Sequence, residues 1–414
     1  MSFVQCSPSV LTGRVRVPVS KSTAHRAMVA AFLAGAPDPL PEGETVSEDL
    51  ACTRSALAAL YAAERSGEPA RVDCGESGST LRFLVPVAAA LGIPAVFTGR
   101  GRLPQRPVGV YLDCLPRNGA ACESAGGLPL SVSGKLRPGV YSLPGNVSSQ
   151  FVTGLMFALP LLDGDSEIRL TSPLESAGYA DLTSELLAEH GVEVRRCGTG
   201  WLVPGKQEYR HSGVQIERDW SQAAFFLAAG ALGGQIELPG LRPDSVQSDR
   251  EAEELFLRMG ACVEWDGELL RVRPGPPPDG PTAMLVDASQ IPDLVPALAA
   301  AAAVTPGLSL TIRHAERLRL KESDRLSAMA DGLSALGADV AQTPDGLSIR
   351  GVPRLRGGRA EGRNDHRVVM ALAVAALRSE GDVTISDAES ICKSYPDFFR
   401  DYNSLGGKAH DLGQ

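Results

Sequence analysis

Seven basic side chains stand in short polar runs along an otherwise acidic chain, and each run has the makings of an anion site. In Ser20-Lys21-Ser22-Thr23-Ala24-His25-Arg26, Lys21 and Arg26 lie about one and a half turns apart at an expected helix start, which suits a phosphate or a carboxylate. In Lys321-Glu322-Ser323-Asp324-Arg325, a helix beginning near Glu322 would set Lys321 and Arg325 one turn apart with a carboxylate between two cations. That run reads either as a solvated salt-bridge face or as cations gripping an anionic substrate while Glu322 moves a proton. Arg106, in Leu103-Pro-Gln-Arg106-Pro107, is a loop cation or a guanidinium held stiff enough for a bidentate phosphate contact. Asn364-Asp365-His366-Arg367 opens an apolar helix, where His366 on its own fits a core hydrogen bond, and Lys393 follows an expected strand in Cys392-Lys393-Ser394-Tyr395-Pro396-Asp397.

Other chemistries are excluded by what the runs lack. Gly134-Lys135 is followed by Leu136, so there is no P-loop, and Gly99-Arg-Gly101 lacks the third glycine of a dinucleotide fingerprint. Gly75-Glu-Ser77-Gly-Ser79 misses the spacing of a serine-hydrolase elbow. Eight cysteines never form CxxC, so reduced thiols are expected, with no disulfide and no metal site. A net charge of −9 argues against general affinity for nucleic acid. The residues from Met1 to Pro8 form neither a signal nor a transit segment, and the Ala-rich stretch from Val295 to Val304 reads as a buried helix rather than a membrane span. A cytoplasmic protein is expected.

The elements that must position these residues show a repeat. Gly119-Ala-Ala-Cys, Gly191-Val-Glu-Val, Gly260-Ala-Cys-Val and Gly337-Ala-Asp-Val each end a helical pattern and lead into a short hairpin. They are spaced by 72, 69 and 77 residues, the size of a unit with two helices and several strands, and the length leaves room for about six copies. Residues 27–34, 151–162, 223–232, 295–304 and 368–377 are apolar on nearly every face and must be buried helices. Amphipathic helices such as 181–190 and 249–259 would lie outside them, with sheets at the periphery. At 414 residues and 43% hydrophobic content, two such domains are expected. The buried helices are preceded by stretches with N-cap chemistry, at Ser20-Lys21-Ser22, Gly75-Glu-Ser-Gly-Ser79-Thr80, Asn146-Val-Ser148-Ser149-Gln150, Asp219-Trp-Ser221, Gln290-Ile-Pro-Asp293 and Asn364-Asp365-His366, so their N-termini together favour anions.

Taken in order, Lys21-Ser22, Gly78-Ser79-Thr80-Leu-Arg82, Arg106-Pro107, Ser148-Ser149-Gln150, Ile291-Pro-Asp293, Lys321-Glu322-Ser-Asp-Arg325, Asn364-Asp-His-Arg367 and Lys393-Ser-Tyr-Pro-Asp397 resemble the enolpyruvyl transferases, specifically the 5-enolpyruvylshikimate-3-phosphate synthases. The resemblance runs over nearly the whole chain. It implies two inside-out α/β domains, each of three βαβαββ repeats, with the active site in the cleft between them. Residues 20–216 would form one domain, with most of the shikimate 3-phosphate site, and 217–414 with the strand in 1–19 the other, joined by two hinge crossings.

Carried over residue by residue, Lys21, Ser22, Arg26, Ser148, Ser149, Gln150, Ser176, Tyr179, Asp293 and Lys321 would bind shikimate 3-phosphate. Phosphoenolpyruvate would take Lys21, Gly78, Arg106, Gln150, Arg325, Arg367 and Lys393. Asp293 would be the base and Glu322 the acid of an addition–elimination, with Lys21 assisting, no metal or organic cofactor, and a monomer as the working form. The herbicide glyphosate would occupy the phosphoenolpyruvate site. Four places depart from the familiar pattern: Glu76 stands for Asn, Phe83 for Pro, Arg317 for an Asn that can contact shikimate, and Ala177-Gly178 for a basic residue and Pro. The rival readings are transfer to a UDP-amino sugar, which usually relies on a reactive loop cysteine where this chain has Cys114 in an expected helix, and a non-catalytic phosphometabolite binder, which would have no use for Asp293 and Glu322.

Overall fold

The computed structural model describes residues 2–276 and 280–413 and divides the chain into two compact units. The inserted unit is Ser20–Ile216; the flanking unit is Met1–Val19 with Glu217–Gln414. The inserted unit carries helices α1 (Lys21–Leu33), α2 (Glu48–Ser66), α3 (Gly78–Leu91), α4 (Gly109–Cys114), α5 (Ser149–Ala158) and α6 (Ala177–Glu189). The flanking unit carries α7 (Trp220–Leu232), α8 (Ala252–Arg258), α9 (Val295–Ala303), α10 (Arg325–Ala335), α11 (His366–Ala376) and α12 (Phe398–Ser404). None of the described helices is long and apolar enough to cross a membrane.

The repeat read from the sequence takes a definite form. Among the described residues there are five four-stranded sheets, each with one parallel pair followed by two antiparallel pairings. Two sheets of the flanking unit are completed by the start of the chain, through Phe3–Ser7 and Gly13–Arg14. The four repeat glycines leave their helices at φ of 97°, 75°, 94° and 99°, a left-handed turn that costs glycine little and allows each hairpin to start at once.

Burial explains why helices lie inside and sheets outside. Every residue of α9 is buried, as is all of α11, while the strands alternate between buried and exposed positions. Large side chains such as Phe151, Phe157 and Phe225 are fully buried, each stabilising the core by about 1.5–3 kcal/mol. Helices α3 and α5 meet at Gly154, where an added Cβ would collide with the Arg82 carbonyl and the Tyr111 hydroxyl. Pro86, inside α3, has no N–H for that Arg82 carbonyl, and Tyr111 Oη donates to it instead at 2.5 Å. The backbone that carries Arg82 is thus fixed by a proline, a glycine and a tyrosine together.

Candidate active site

In the inserted unit the expected residues gather at helix N-termini. Ser20 caps α1 by accepting from the Thr23 N–H, which sets Lys21 at the first helical position with its Nζ 2.7 Å from Asp49 Oδ2. Asp49 lies in the first turn of α2, whose cap is Ser47. A hydrogen-bonded chain ties α1, α2 and α3 together: His25 Nδ1 meets Thr53 Oγ1 at 2.7 Å, Thr53 meets Thr80 at 2.6 Å, and Thr80 donates to the cap Ser77 at 2.7 Å. Burial, then the charges of Lys21 and Arg26, hold His25 well below the usual imidazole range, so this chain is uncharged.

Arg26 is buried deeper than a free anion-binding cation would be. Its guanidinium donates to Thr183 (2.8 Å), the Ser22 carbonyl (2.7 Å), the Tyr179 carbonyl (3.0 Å) and Thr153 (3.3 Å), and it lies over the rings of Phe83 and Tyr179. Four of its five N–H donors are occupied by the protein, and through them it joins α1 to α5 and α6.

A second knot forms where α3 meets α5. Arg82 donates to Gln150 Oε1 at 2.8 Å and Gln150 Nε2 to Ser79 Oγ at 2.9 Å, with Ser148 capping the helix and Ser149 buried beside it. Gly78 opens α3 in a confined place, since a Cβ there would stand 2.7 Å from Arg82 Nη1 and 2.9 Å from Arg106 Nη1. Arg106 is therefore drawn to the same helix start, and it is buried rather than on a surface loop. Ser176 precedes α6 in a left-handed conformation (φ 54°), and its carbonyl accepts from the Tyr179 N–H.

In the flanking unit the centre is Arg325, 1% exposed and faced by three carboxylates. It donates to Asp365 through two nitrogens (2.9 and 3.2 Å), to Asp293 Oδ1 (3.1 Å) and to Glu322 Oε2 (2.7 Å). Arg367 reaches Asp293 Oδ2 at 3.1 Å, and Lys321 Nζ lies 3.9 Å from Asp293 Oδ1. Burial pushes the Asp293 carboxyl up, but Arg367, Lys321 and Arg325 outweigh it and hold it well below the usual carboxylate range. Lys393, also buried, donates to the Asn364 carbonyl at 2.6 Å beside the same helix start.

Two sequence expectations are corrected here. The helix after Lys321 begins at Arg325, with Asp324 as its cap, so Lys321 and Glu322 precede the helix and do not share a helical face with Arg325. Ser323 donates to Asp365 at 2.9 Å. Asp293 does not cap α9. A 3-10 turn at Pro292–Leu294 leads into that helix, and Pro292 and Pro296 reduce the number of N–H groups to be capped, which leaves the Asp293 side chain to the cations.

Several functional partners escaped the sequence reading. Asp49 signalled itself only as an acid in the first turn of a helix, and Asp365 looked like a simple cap, whereas it both caps Arg367 N–H and clamps Arg325. Arg82 stood in a quoted motif without a role. Arg317 donates to the Ser289 carbonyl.

The sequence profile of the EPSP synthase (3-phosphoshikimate 1-carboxyvinyltransferase) family matches residues 6–402. A 3-phosphoshikimate 1-carboxyvinyltransferase of Clostridium kluyveri is 41% identical over 428 residues, covering 99% of this chain and 98% of that protein. One of Clostridium acetobutylicum is 39% identical over 431 residues, covering 99% of both. Among solved structures, an EPSP synthase of Acinetobacter baumannii matches with a TM-score of 0.77 and 25% identity over 99% of this chain and 100% of that one. The enolpyruvyl transferase NikO of Streptomyces tendae shares the fold, with a TM-score of 0.75 and 18% identity over 100% and 99% of the two chains.

Proposed function

The chain belongs to the EPSP synthase family, and we propose that its two clusters of charged residues divide one reaction between them. The reaction moves the enolpyruvyl (1-carboxyvinyl) group of phosphoenolpyruvate to the 5-hydroxyl of shikimate 3-phosphate and releases phosphate. In this reading the inserted unit holds most of shikimate 3-phosphate, through Lys21, Ser22, Arg26 and the α5 start at Ser148, Ser149 and Gln150, with Ser176 and Tyr179 beside the ring. Phosphoenolpyruvate draws on Arg106 and the Gly78 backbone there, and on Arg325, Arg367 and Lys393 in the flanking unit.

Asp293 takes the proton of the 5-hydroxyl as its oxygen attacks the substituted carbon of phosphoenolpyruvate, and Glu322 gives a proton to the methylene carbon. The resulting tetrahedral adduct then loses phosphate while a proton leaves the new methyl group, which restores the double bond. One observation carries the assignment: Asp293 lies 3.1 Å from both Arg325 and Arg367 and 3.9 Å from Lys321. So many cations make a carboxylate a weak base. The anionic groups of phosphoenolpyruvate would compete for these N–H donors, loosen their hold, and raise the proton affinity of Asp293 when the substrate arrives.

A phosphate-release assay with phosphoenolpyruvate and shikimate 3-phosphate tests the reading, with the UDP-amino sugar as the contrasting acceptor. Release with the sugar alone would overturn it. Cys114 lends no support to the sugar reading, being buried in α4 with its thiol pushed up to about 12 by burial. A cytoplasmic monomer belongs to the same proposal, and sedimentation of the purified protein checks the monomer.

A further inference from the structure

The segment that carries Lys321 and Glu322 has little apolar packing to hold it. It runs from the 3-10 turn Glu316–Leu320 to the start of α10, with Lys321 in extended backbone, and its large apolar side chain, Leu320, is 51% exposed. Apolar packing stops at the buried Leu318 and resumes at Leu326, inside the helix.

Arg319 closes the gap between those anchors. Its Nη1 donates to both carboxylate oxygens of Asp324 (3.2 and 3.0 Å) and lies 3.2 Å from Gln342 Oε1, while its Nη2 donates to the Thr343 carbonyl at 3.0 Å. Asp324 in turn caps α10 by accepting from the Ser327 N–H at 3.1 Å, and Ser327 Oγ donates to the same Gln342 oxygen at 3.1 Å. Thr343 ends the strand Asp339–Thr343, and two residues on the Asp345 carbonyl accepts from the Ala315 N–H at 2.7 Å, just before the 3-10 turn. One guanidinium thus joins the 3-10 turn, the helix cap and the end of a strand, and its pair with Asp324 closes a ring around Leu320–Ser323. Inside that ring Glu322 bonds Arg325 at 2.7 Å and Ser323 bonds Asp365 at 2.9 Å. Those two bonds hold side-chain tips, whereas the Arg319 bonds set where the backbone between them runs.

We propose that Arg319 is a positioning residue for the acid: by pairing with Asp324 and binding the Thr343 carbonyl, it fixes the path of the backbone that aims Glu322. The inference rests on the reading of Glu322 as the acid. An isolated surface ion pair would contribute little. Here the guanidinium is 29% exposed and engages a carboxylate, an amide oxygen and a carbonyl at once, a fork that an ammonium does not copy. Proton transfer needs the acid within hydrogen-bond reach of its target, and a displacement of about 1 Å costs on the order of 100-fold in rate. Substrate affinity, spread over many groups, depends on this one segment far less.

The test is turnover at saturating substrates, with shikimate 3-phosphate affinity measured by calorimetry. Arg319→Ala should lose about 10- to 100-fold in kcat while affinity changes by no more than about threefold. Asp324→Ser keeps a good cap but is too short to meet Arg319, and should show a smaller loss of kcat with affinity likewise kept. The deciding readout is the Glu322→Gln background. The acid is already absent there, so adding Arg319→Ala should slow turnover by no more than about twofold. A full second loss in that background, or an unchanged kcat in Arg319→Ala, overturns the proposal. Should Arg319→Ala fail to fold, Asp324→Ser, alone and with Glu322→Gln, decides in the same way. Near-normal turnover of Glu322→Gln itself would instead remove the acid assignment, whereas a slow Glu322→Gln beside a normal Arg319→Ala sinks only this inference.

Discussion

The two units hold buried arginines in different ways. In the inserted unit Arg26 is held by threonine hydroxyls and backbone carbonyls, and Arg82 by the Gln150 amide and the Pro107 carbonyl. In the flanking unit Arg325 is held by Asp365, Asp293 and Glu322, and Arg367 by Asp293. Neutral acceptors fix a guanidinium without cancelling its charge, which stays available to an anion. Carboxylates cancel it, and in return they supply groups that can take and give protons. On the proposed function, the first set of arginines attracts anions and the second works with the acids that do the chemistry, even though both are read from the sequence as runs of Lys and Arg.

The largest effect expected from breaking this contrast lies in the flanking unit. Asp293→Asn and Glu322→Gln keep the shape of the cluster and remove its proton chemistry. Turnover should fall by about 10²–10⁴-fold while affinity for shikimate 3-phosphate, measured by calorimetry, changes by no more than about threefold. Affinity falling as far as the rate would refute the division of labour, and near-normal turnover in Asp293→Asn would transfer the base role to Lys21.

The converse change puts a carboxylate where the inserted unit has an amide. Gln150→Glu would set a carboxylate against Arg82 at the position now 2.8 Å away and neutralise part of its charge. Charge-assisted bonds contribute roughly 1.5–3 kcal/mol, so shikimate 3-phosphate should bind about 10- to 100-fold more weakly, with the rate at saturation much less affected. Unaltered binding would mean that the neutral partners of this cluster have no electrostatic purpose.

Much of this architecture was legible because its signals are local. A Ser or Asp before an apolar run marked the starts of α1, α3, α5, α7 and α11, and all five are capped in that way. The four Gly-Ala or Gly-Val junctions marked the hairpins because a left-handed helix exit needs glycine. Pairings made across the fold left no such trace. Lys21 and Asp49 are 28 residues apart and Arg325 and Asp365 are 40 apart, so only packing brings them together. The start of α10 was placed near Glu322 because the polar run gives no clear boundary; in the fold Asp324 caps the helix while Ser323 donates to Asp365.

A smaller effect is expected at Gly78, where the inserted unit's two arginines crowd the helix start. Gly78→Ala puts a methyl group against Arg82 Nη1 and Arg106 Nη1, and Arg82 cannot swing aside freely because Gln150, the Pro107 carbonyl and the Phe151 ring hold it. Overpacking of this kind costs about 1–3 kcal/mol. Glyphosate, which is longer than phosphoenolpyruvate, should lose about tenfold or more in inhibition, with a lesser rise in KM for the substrate. Inhibition curves at matched substrate saturation would show equal loss for both if Gly78 does not set the length of the pocket.

The smallest effect concerns Lys321, a cation of the flanking cluster whose charge is lost within a working pH range. Burial pulls its ammonium down, and although Asp293 and Glu322 pull it up, it settles at about 8. The sign follows from the charge: below about pH 8 Lys321 is a cation, and above it the ammonium progressively gives up its proton and its hold on an anion. The kcat/KM for shikimate 3-phosphate should therefore decline several-fold on the alkaline side, where Arg325 and Arg367 keep their charge. Lys321→Arg should remove that decline, since a guanidinium does not titrate there. Asp293→Asn should move it to lower pH, since it takes away the carboxylate 3.9 Å from the ammonium that favours the charged form. The shift can be followed by shikimate 3-phosphate affinity even where turnover is lost. An alkaline limb that persists unchanged in Lys321→Arg would assign it to another group, and the flanking cluster would then be insensitive to pH at its cations and sensitive only at its acids.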